Sequence, residues 1–466
     1  LNPILQRAIT IAALNPKWND AYAWTRILSP LRSARCEVIQ INPGDSLDVM
    51  KEVDFVLIGQ EFPAEAPRAY DEARQRAIEF KKQVVYDVNE AVFALDESHP
   101  NFDRYKGRRL SILRAICEAD AVLASTSNLA QECKNFNAHI LTGPSYIDPF
   151  IWTTDLSNFP RSASAGSGEE SIVIGYVGSE ADQQDIASIE PALHAILRDN
   201  PNSVMLKLWG TPPTPALRAL PNVRYIGSYP DDYRPYAKYM AANRPDIFIS
   251  PLALTRFNQS TSPIRYLEQS VLGAPGIYGR FGPYEEVVFE GVDGLMAGNL
   301  DEWHEALQAM ITSDFLRRSL GQAARGKVLK DWIVMDRAVE IRAAFEPLLN
   351  FRNASNLARQ RVGALHVIDS YAQYVNEMEA EKLELKAQSK ELTCDLASAR
   401  YKLQSQVEAL RTQIQLEQDL RIATEEKNEK LLKKIAELED SIQNMSGSRA
   451  WKVTRFITES VRSFGV

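Results

Sequence analysis

Short apolar runs alternate with stretches of helical period through residues 1–350 of this 466-residue chain, and that alternation narrows the fold more than any other feature. The first series of apolar runs is Ile9–Leu14, Cys36–Ile41, Asp54–Ile58, Gln83–Val88, Ala121–Ser125 and His139–Thr142. Amphipathic stretches such as Tyr22–Ser33, Arg68–Lys82 and Gly107–Ala119 lie between them. The second series is Ile172–Val177, Val204–Trp209, Val223–Ile226, Ile247–Ser250 and Gly276–Tyr278, with helices expected near Ile186–Leu197 and over Ile264–Leu272, Leu300–Ser313 and Phe315–Val328. Strand–helix alternation at this spacing calls for a parallel sheet covered on both faces. The polar, Ser- and Gly-rich stretch Asn158–Glu170 separates the two series and reads as a linker, an ordinary surface loop being the other reading. The expected architecture is therefore α/β: a Rossmann-like domain over 1–157, a linker over 158–170, and a second Rossmann-like domain over 171–350. Ligands of such domains bind at the C-terminal ends of the strands, so two of them facing each other make a cleft.

Behind these domains the composition changes. After a helical connector over 351–375, Gly and Pro vanish and Glu, Lys, Gln and Leu dominate residues 376–446. Leu392, Leu396, Ala399 and Leu403 are spaced as a heptad seam, which continues through Val407, Leu410 and Ile414 after a stutter. The seam weakens at Glu417, Arg421, Thr424 and Asn428, and recovers from Leu431 to Met445. A long α-helical coiled coil is expected there. A partner helix is expected, in a homo-oligomer or on another protein, because a solitary helix would leave the seam in water; a charged solitary helix is the other reading. In residues 447–466, Trp451, Thr454, Ile457, Val461 and Phe464 fall on one helical face flanked by Arg449, Lys452, Arg455 and Arg462. That pattern suits peripheral contact with anionic lipid, or a helix capping the coiled coil.

Several function classes lose their signatures. With 53 basic and 61 acidic residues the net charge is −8, so the chain as a whole does not attract nucleic acid, and an anionic ligand needs a local basic pocket. The four cysteines (Cys36, Cys117, Cys133, Cys394) form no CxxC pair, which fits a cytoplasmic setting better than a disulfide framework or a zinc site. No apolar run reaches the length of a membrane-spanning helix. The five histidines show no metal-ligand spacing; His99 is the one to watch, because it follows Asp87–Glu90. There is no GxGxxG, and Gly321–Lys327 only approaches a P-loop, with Val328 where the magnesium-binding hydroxyl belongs.

The densest polar constellation lies in Pro251–Glu286. A strand runs into a polar loop and then into a helix expected to start near Pro263. Ser260, Thr261 and Ser262 ahead of Pro263 make a helix-start pattern whose free N–H groups and hydroxyls suit a phosphate. Arg265 adds a fixed positive charge, and Glu268, three residues on, can accept both hydrogen bonds of a ribose diol. Spacing alone allows another outcome, in which Arg265 and Glu268 pair with each other at the surface.

Pro251, Leu252, Phe257, Asn258, Ser262, Ile264, Arg265, Tyr266, Leu267, Glu268, Gly273, Pro275, Pro283 and Tyr284 together resemble the donor-binding signature of GT-B glycosyltransferases of the retaining family four, best that of a bacterial surface-polysaccharide subgroup. Ile174–Ser179 with Asp185, Leu206–Gly210, Gly291–Leu295 with Trp303, and Val84–Leu95 resemble flanking segments in the same order. The short stretch Ser448–Thr454 is similar to one found behind coiled coils in bacterial polysaccharide glycosyltransferases. The resemblance implies a metal-independent enzyme with no cofactor, moving a sugar from a nucleotide-diphosphate donor to a growing, lipid-linked surface glycan such as O-antigen at the cytoplasmic face of the membrane. By resemblance Glu268 holds the ribose. Ser260 stands where the pattern has its first carboxylate, and Asn258 is the neighbour able to replace that contact. The diphosphate falls to Arg265 with Thr261 and Ser262, with Lys207 or Arg256 in reserve. Gly178 and Ser179 let the backbone approach the donor, and Asp87, Asn89 and Glu90 face the transferred sugar or the acceptor. The missing carboxylate at Ser260 also fits a different class of protein, a catalytically inactive GT-B-like scaffold whose coiled coil recruits or spaces partner enzymes.

Overall fold

The computed structural model describes residues 8–95, 102–152 and 171–349, together with Lys433. The linker, the connector, the coiled coil apart from Lys433, the basic tail and His99 lie outside the described residues. The strands of the first sheet are β1 (Ile9–Leu14), β2 (Cys36–Ile41), β3 (Phe55–Ile58), β4 (Gln83–Val88), β5 (Ala121–Ala124) and β6 (Ile140–Thr142). All pair in parallel, in the order β2-β1-β3-β4-β5-β6. Every residue of β3, β4 and β5 is buried, because helices cover both faces. The two-residue period sends Val56, Ile58, Val84, Tyr86 and Val88 into one core, and Phe55, Leu57 and Val85 into another on the opposite face.

The second sheet holds β7 (Ile172–Val177), β8 (Val204–Trp209), β9 (Val223–Ile226), β10 (Ile247–Ser250), β11 (Gly276–Gly279) and β12 (Leu295–Ala297), in the order β12-β11-β10-β7-β8-β9 and again all parallel. The chain starts in the middle at β7, builds outward to β9, and returns to lay β10 on the other side of β7. The reversal opens a crevice where the β7 and β10 connections part, and in such folds that crevice takes the ligand. In the first sheet the corresponding reversal lies between β1 and β3.

Departures from the expected elements are local. Strand β12 has no expected counterpart, since three residues behind the turn at Gly291–Gly294 are too short a run to stand out from a loop. The stretch Tyr22–Ser33 forms a wide-turned helix, Ala23–Leu28, continued by Ser29–Ser33. The helix expected near Ile186–Leu197 is two helices, Gln183–Ser188 and Glu190–Asp199, broken ahead of Pro191.

The domain expected over 171–350 does not keep its last helix, Ala338–Leu349. Val334, Ile341 and Phe345 join the core beneath the first sheet, and the Phe345 ring stacks on Phe55 at 5.5 Å. In the other direction, Ile147, Ile151 and Trp152 pack into the second lobe, with Ile147 bridging to Ile333. The chain thus crosses between the lobes in both directions, because each crossing segment carries an apolar face that only the opposite lobe can bury.

The P-loop-like stretch lies inside the helix Asp314–Asp331. Gly321 is there for contact: a Cβ at that position would sit 2.5 Å from the Gly273 carbonyl oxygen. Gly321→Ala is expected to force the helix away from the turn at Gly273 and cost about 1–3 kcal/mol. A thermal melt lowered by several degrees is the check, and an unchanged melt would contradict the contact.

Candidate functional site

A cleft of about 390 Å³ opens where the C-terminal ends of the two sheets meet. From the second lobe, β7 ends at Val177 and the chain turns through Gly178 and Ser179 into a short turn, Glu180–Asp182. The turn is closed from within. The Asp182 carboxylate accepts from the Ser179 N–H at 2.7 Å and from its hydroxyl at 3.1 Å, while Ser179 Oγ accepts from the Ala181 N–H at 3.2 Å. Behind β10, the helix Ile264–Val271 projects Arg265 and Glu268 into the cleft.

Arg265 and Glu268 do not pair with each other. The Arg265 guanidinium meets Asp182 at 3.0 Å, donates to the Tyr176 hydroxyl at 3.4 Å, and lies 5.5 Å from the centre of the Tyr176 ring. Glu268 accepts from the Tyr233 hydroxyl at 2.7 Å and also bonds Tyr236. Trp152 Nε1 donates in turn to the Tyr233 hydroxyl at 2.9 Å. Tyr233 and Tyr236 stack at 6.2 Å, so the carboxylate sits against an aromatic wall. Burial pushes the Glu268 carboxyl up to about 7, against the opposing pull of Tyr233, Arg265 and Tyr236.

The first lobe lines the cleft with Tyr22 and Thr25 behind β1, Asn89 and Glu90 behind β4, and Ser145 behind β6. Gln60 fixes the β4 loop, its side-chain oxygen accepting from the Asn89 N–H at 2.6 Å and the Glu90 N–H at 2.9 Å. Tyr22 joins the two strands at the reversal: its hydroxyl accepts from the Gln60 N–H at 2.9 Å and donates to Asp87 at 2.7 Å. The lobes are clasped at the rim, where the Tyr233 N–H donates to the Asn19 carbonyl at 2.8 Å and Lys17 reaches Asp231 at 3.3 Å.

Of the residues singled out in the sequence, Asn89, Glu90, Gly178, Ser179, Arg265 and Glu268 line this cleft, whereas Asp87, Lys207, Asn258, Ser260, Thr261 and Ser262 do not. Asp87 is fully buried and pairs with Arg26 at 2.5 and 3.2 Å, so it braces the floor instead of facing a sugar. Asn258 donates to Asp185 at 2.8 Å and to the Ala253 carbonyl at 3.0 Å, which pins the loop behind β10. Ser260 is 2 % exposed, and its carbonyl accepts from Thr126 of the first lobe at 3.0 Å. Arg256 pairs with Glu132 across the same junction at 2.9 Å.

The helix-start pattern is also displaced. Pro263 takes the N-cap position with no side-chain cap, and the buried Ser262 hydroxyl has no partner among the described residues. The capped start is Thr255, accepting from the Asn258 N–H at 3.1 Å ahead of the short helix Arg256–Gln259. Lys207 lies within β8, away from the cleft. Tyr22, Asp182, Tyr233 and Tyr236 also line the cleft and are not among the residues singled out in the sequence. The i, i+3 spacing of Tyr233 and Tyr236 on the helix Tyr233–Ala242 and the Ser-x-x-Asp capping pattern of Ser179 and Asp182 are the signals that mark three of them.

No protein-family model matches the sequence, and no curated protein does. Among solved structures the chain is similar to sucrose-phosphate synthase from Thermosynechococcus elongatus, with a TM-score of 0.51 and 16 % identity over 73 % of this chain and 99 % of that one. It is also similar to the Anabaena protein HepE in complex with UDP-glucose, with a TM-score of 0.50 and 13 % identity over 73 % of this chain and 100 % of that one. The HepE complex with UDP and glucose gives a TM-score of 0.50 and 14 % identity, over 74 % and 100 % of the two chains. No helix among the described residues is long and apolar enough to cross a membrane. The described residues have the GT-B fold, two parallel-sheet α/β lobes that face one cleft across their C-terminal strand ends.

Proposed function

We propose that the protein is a glycosyltransferase that takes a sugar from a nucleotide-diphosphate donor bound in this cleft. The observation that carries the reading is the placement of Arg265 and Glu268. They stand on one helix at the reversal of the second sheet, both lining the cleft, with Glu268 held by Tyr233 and Arg265 beside the β7 turn. Glu268 accepts the two ribose hydroxyls. Arg265 neutralises the leaving diphosphate, a fixed charge set where negative charge develops. The transferred sugar then lies towards Asn89 and Glu90, whose loop Gln60 fixes. Similar structures with bound UDP-glucose, or UDP and glucose, support a uridine nucleotide as the first donor to try.

The finer assignments follow from the resemblance. Transfer retains the anomeric configuration and needs no bound metal or other cofactor. The acceptor is a growing, lipid-linked bacterial surface glycan at the cytoplasmic face of the membrane. Residues 376–446 find a partner helix, and residues 447–466 touch lipid. An assay of transfer and donor hydrolysis over a panel of sugar nucleotides tests the enzyme, with at least one donor consumed as the expected result. If uridine nucleotides bind and no donor in the panel is ever turned over, the inactive scaffold takes its place. The burial of Ser260, where the resembling enzymes carry a carboxylate, favours that second reading.

A further inference from the structure

We propose that Asp182 is an internal anion that competes with phosphate for Arg265 and so limits how much negative charge the cleft holds. The proposal rests on the donor-site reading above. Among the described residues lining the cleft, Arg265 is the only cation, and the same walls carry the carboxyl groups of Glu90, Asp182, Asp231 and Glu268. The single cation is already engaged, at 3.0 Å from Asp182. Asp182 is not a loose surface acid that drifts aside, because both the N–H and the hydroxyl of Ser179 hold it.

A second observation concerns Gly178, expected to give a phosphate close access to the backbone. Its bare face is occupied. A Cβ there would lie 2.6 Å from Thr211 Oγ1 and 3.0 Å from the Asp182 carboxylate. The carboxylate therefore stands both against the arginine and over the glycine, the two places a diphosphate would use.

A ligand phosphate must displace Asp182 from Arg265, and Asp182 then remains nearby, tethered to Ser179. The residual repulsion grows with the charge on the ligand. A sugar-capped diphosphate carries one negative charge on each phosphate. A free nucleoside diphosphate adds a second charge on its terminal phosphate, which titrates near pH 6. Asp182 thereby discriminates against the more highly charged product and closes back onto Arg265 when it leaves. It is a specificity-determining residue acting through Arg265.

The test is calorimetric titration of uridine, UDP-glucose and UDP into the wild-type chain and Asp182→Asn. Asp182→Ser serves as a second variant, and thermal melts confirm the fold of each. Removing the competing charge is expected to tighten UDP about tenfold or more, the scale of a close charge pair in a partly desolvated site. UDP-glucose should tighten less, and uridine should stay within about twofold of wild type, since it carries no phosphate charge. Folded variants that bind UDP no more tightly than wild type, or that shift uridine as much as UDP, overturn the proposal and leave the donor site standing. If neither uridine nor UDP binds any of the three proteins, the donor-site reading falls and this proposal with it.

Discussion

Glu268→Gln is expected to make the unliganded protein more heat-stable at pH 8 and at the same time to weaken its hold on uridine. The carboxyl is raised by burial from its ordinary 4.5 to about 7. Between those values the folded state binds more protons than the unfolded one, so stability falls as pH rises through that window, and the deficit persists above about pH 7. At about 1.4 kcal/mol per unit, and discounted for the open side of the cleft, the ionised group costs about 2 kcal/mol at pH 8. Gln keeps the shape and an oxygen for the Tyr233 hydroxyl, so the variant should melt several degrees higher at pH 8 and equal to wild type at pH 4.5 and below. Binding moves the other way. An amide offers the ribose diol one neutral acceptor in place of a carboxylate, and charge-assisted hydrogen bonds of about 1.5–3 kcal/mol are lost, roughly 10- to 100-fold in affinity. Melting curves between pH 4 and 8.5, with titration of uridine at pH 8, check both halves. A variant no more stable than wild type at pH 8 would show that Glu268 is not a strained acid. Unchanged uridine affinity would move the ribose elsewhere.

What is legible in the sequence follows from burial and from how local each contact is. Strands such as β3 and β5 stand out because both faces of a central parallel strand are buried, so the run is apolar throughout. β12 does not stand out, because an edge strand of three residues behind a glycine turn has neither length nor two buried faces. Arg265 and Glu268 are legible together because one helix turn fixes their spacing and strand β10 fixes where that helix starts. Asp182 is not, since nothing in the turn after β7 tells that its acid reaches across the sheet reversal to a helix more than eighty residues later. The same limit applies to the hydroxyls of 260–262. Their composition suits a phosphate-binding helix start, but the contact of Thr126 with Ser260 turns that loop into a junction between the lobes.

Asp87 is the clearest case of a residue whose type suggests chemistry and whose surroundings assign it to structure, and its substitution should have the largest effect on folding. It sits near the end of β4, fully buried, receiving two bonds from Arg26 and one from Tyr22. Arg26 is itself buried and has one further acceptor, the Gly143 carbonyl. Asp87→Asn therefore leaves a guanidinium in the interior without a counter-charge. Breaking one side of a buried pair costs about 3–5 kcal/mol, so the melting temperature should fall by about 10 °C. Arg26→Met alone should be as damaging, because it strands the carboxylate instead. The double variant Arg26→Met, Asp87→Asn should recover most of the loss, since no charge is left in the interior and Asn still accepts from the Tyr22 hydroxyl. Uridine affinity, measured well below the lowered melting point, should stay near wild type in all three, because Asp87 does not face the cleft. Asp87→Asn that melts like wild type yet loses all transfer would return Asp87 to the chemistry and remove the Arg26 pair from the list of what holds the floor of the site.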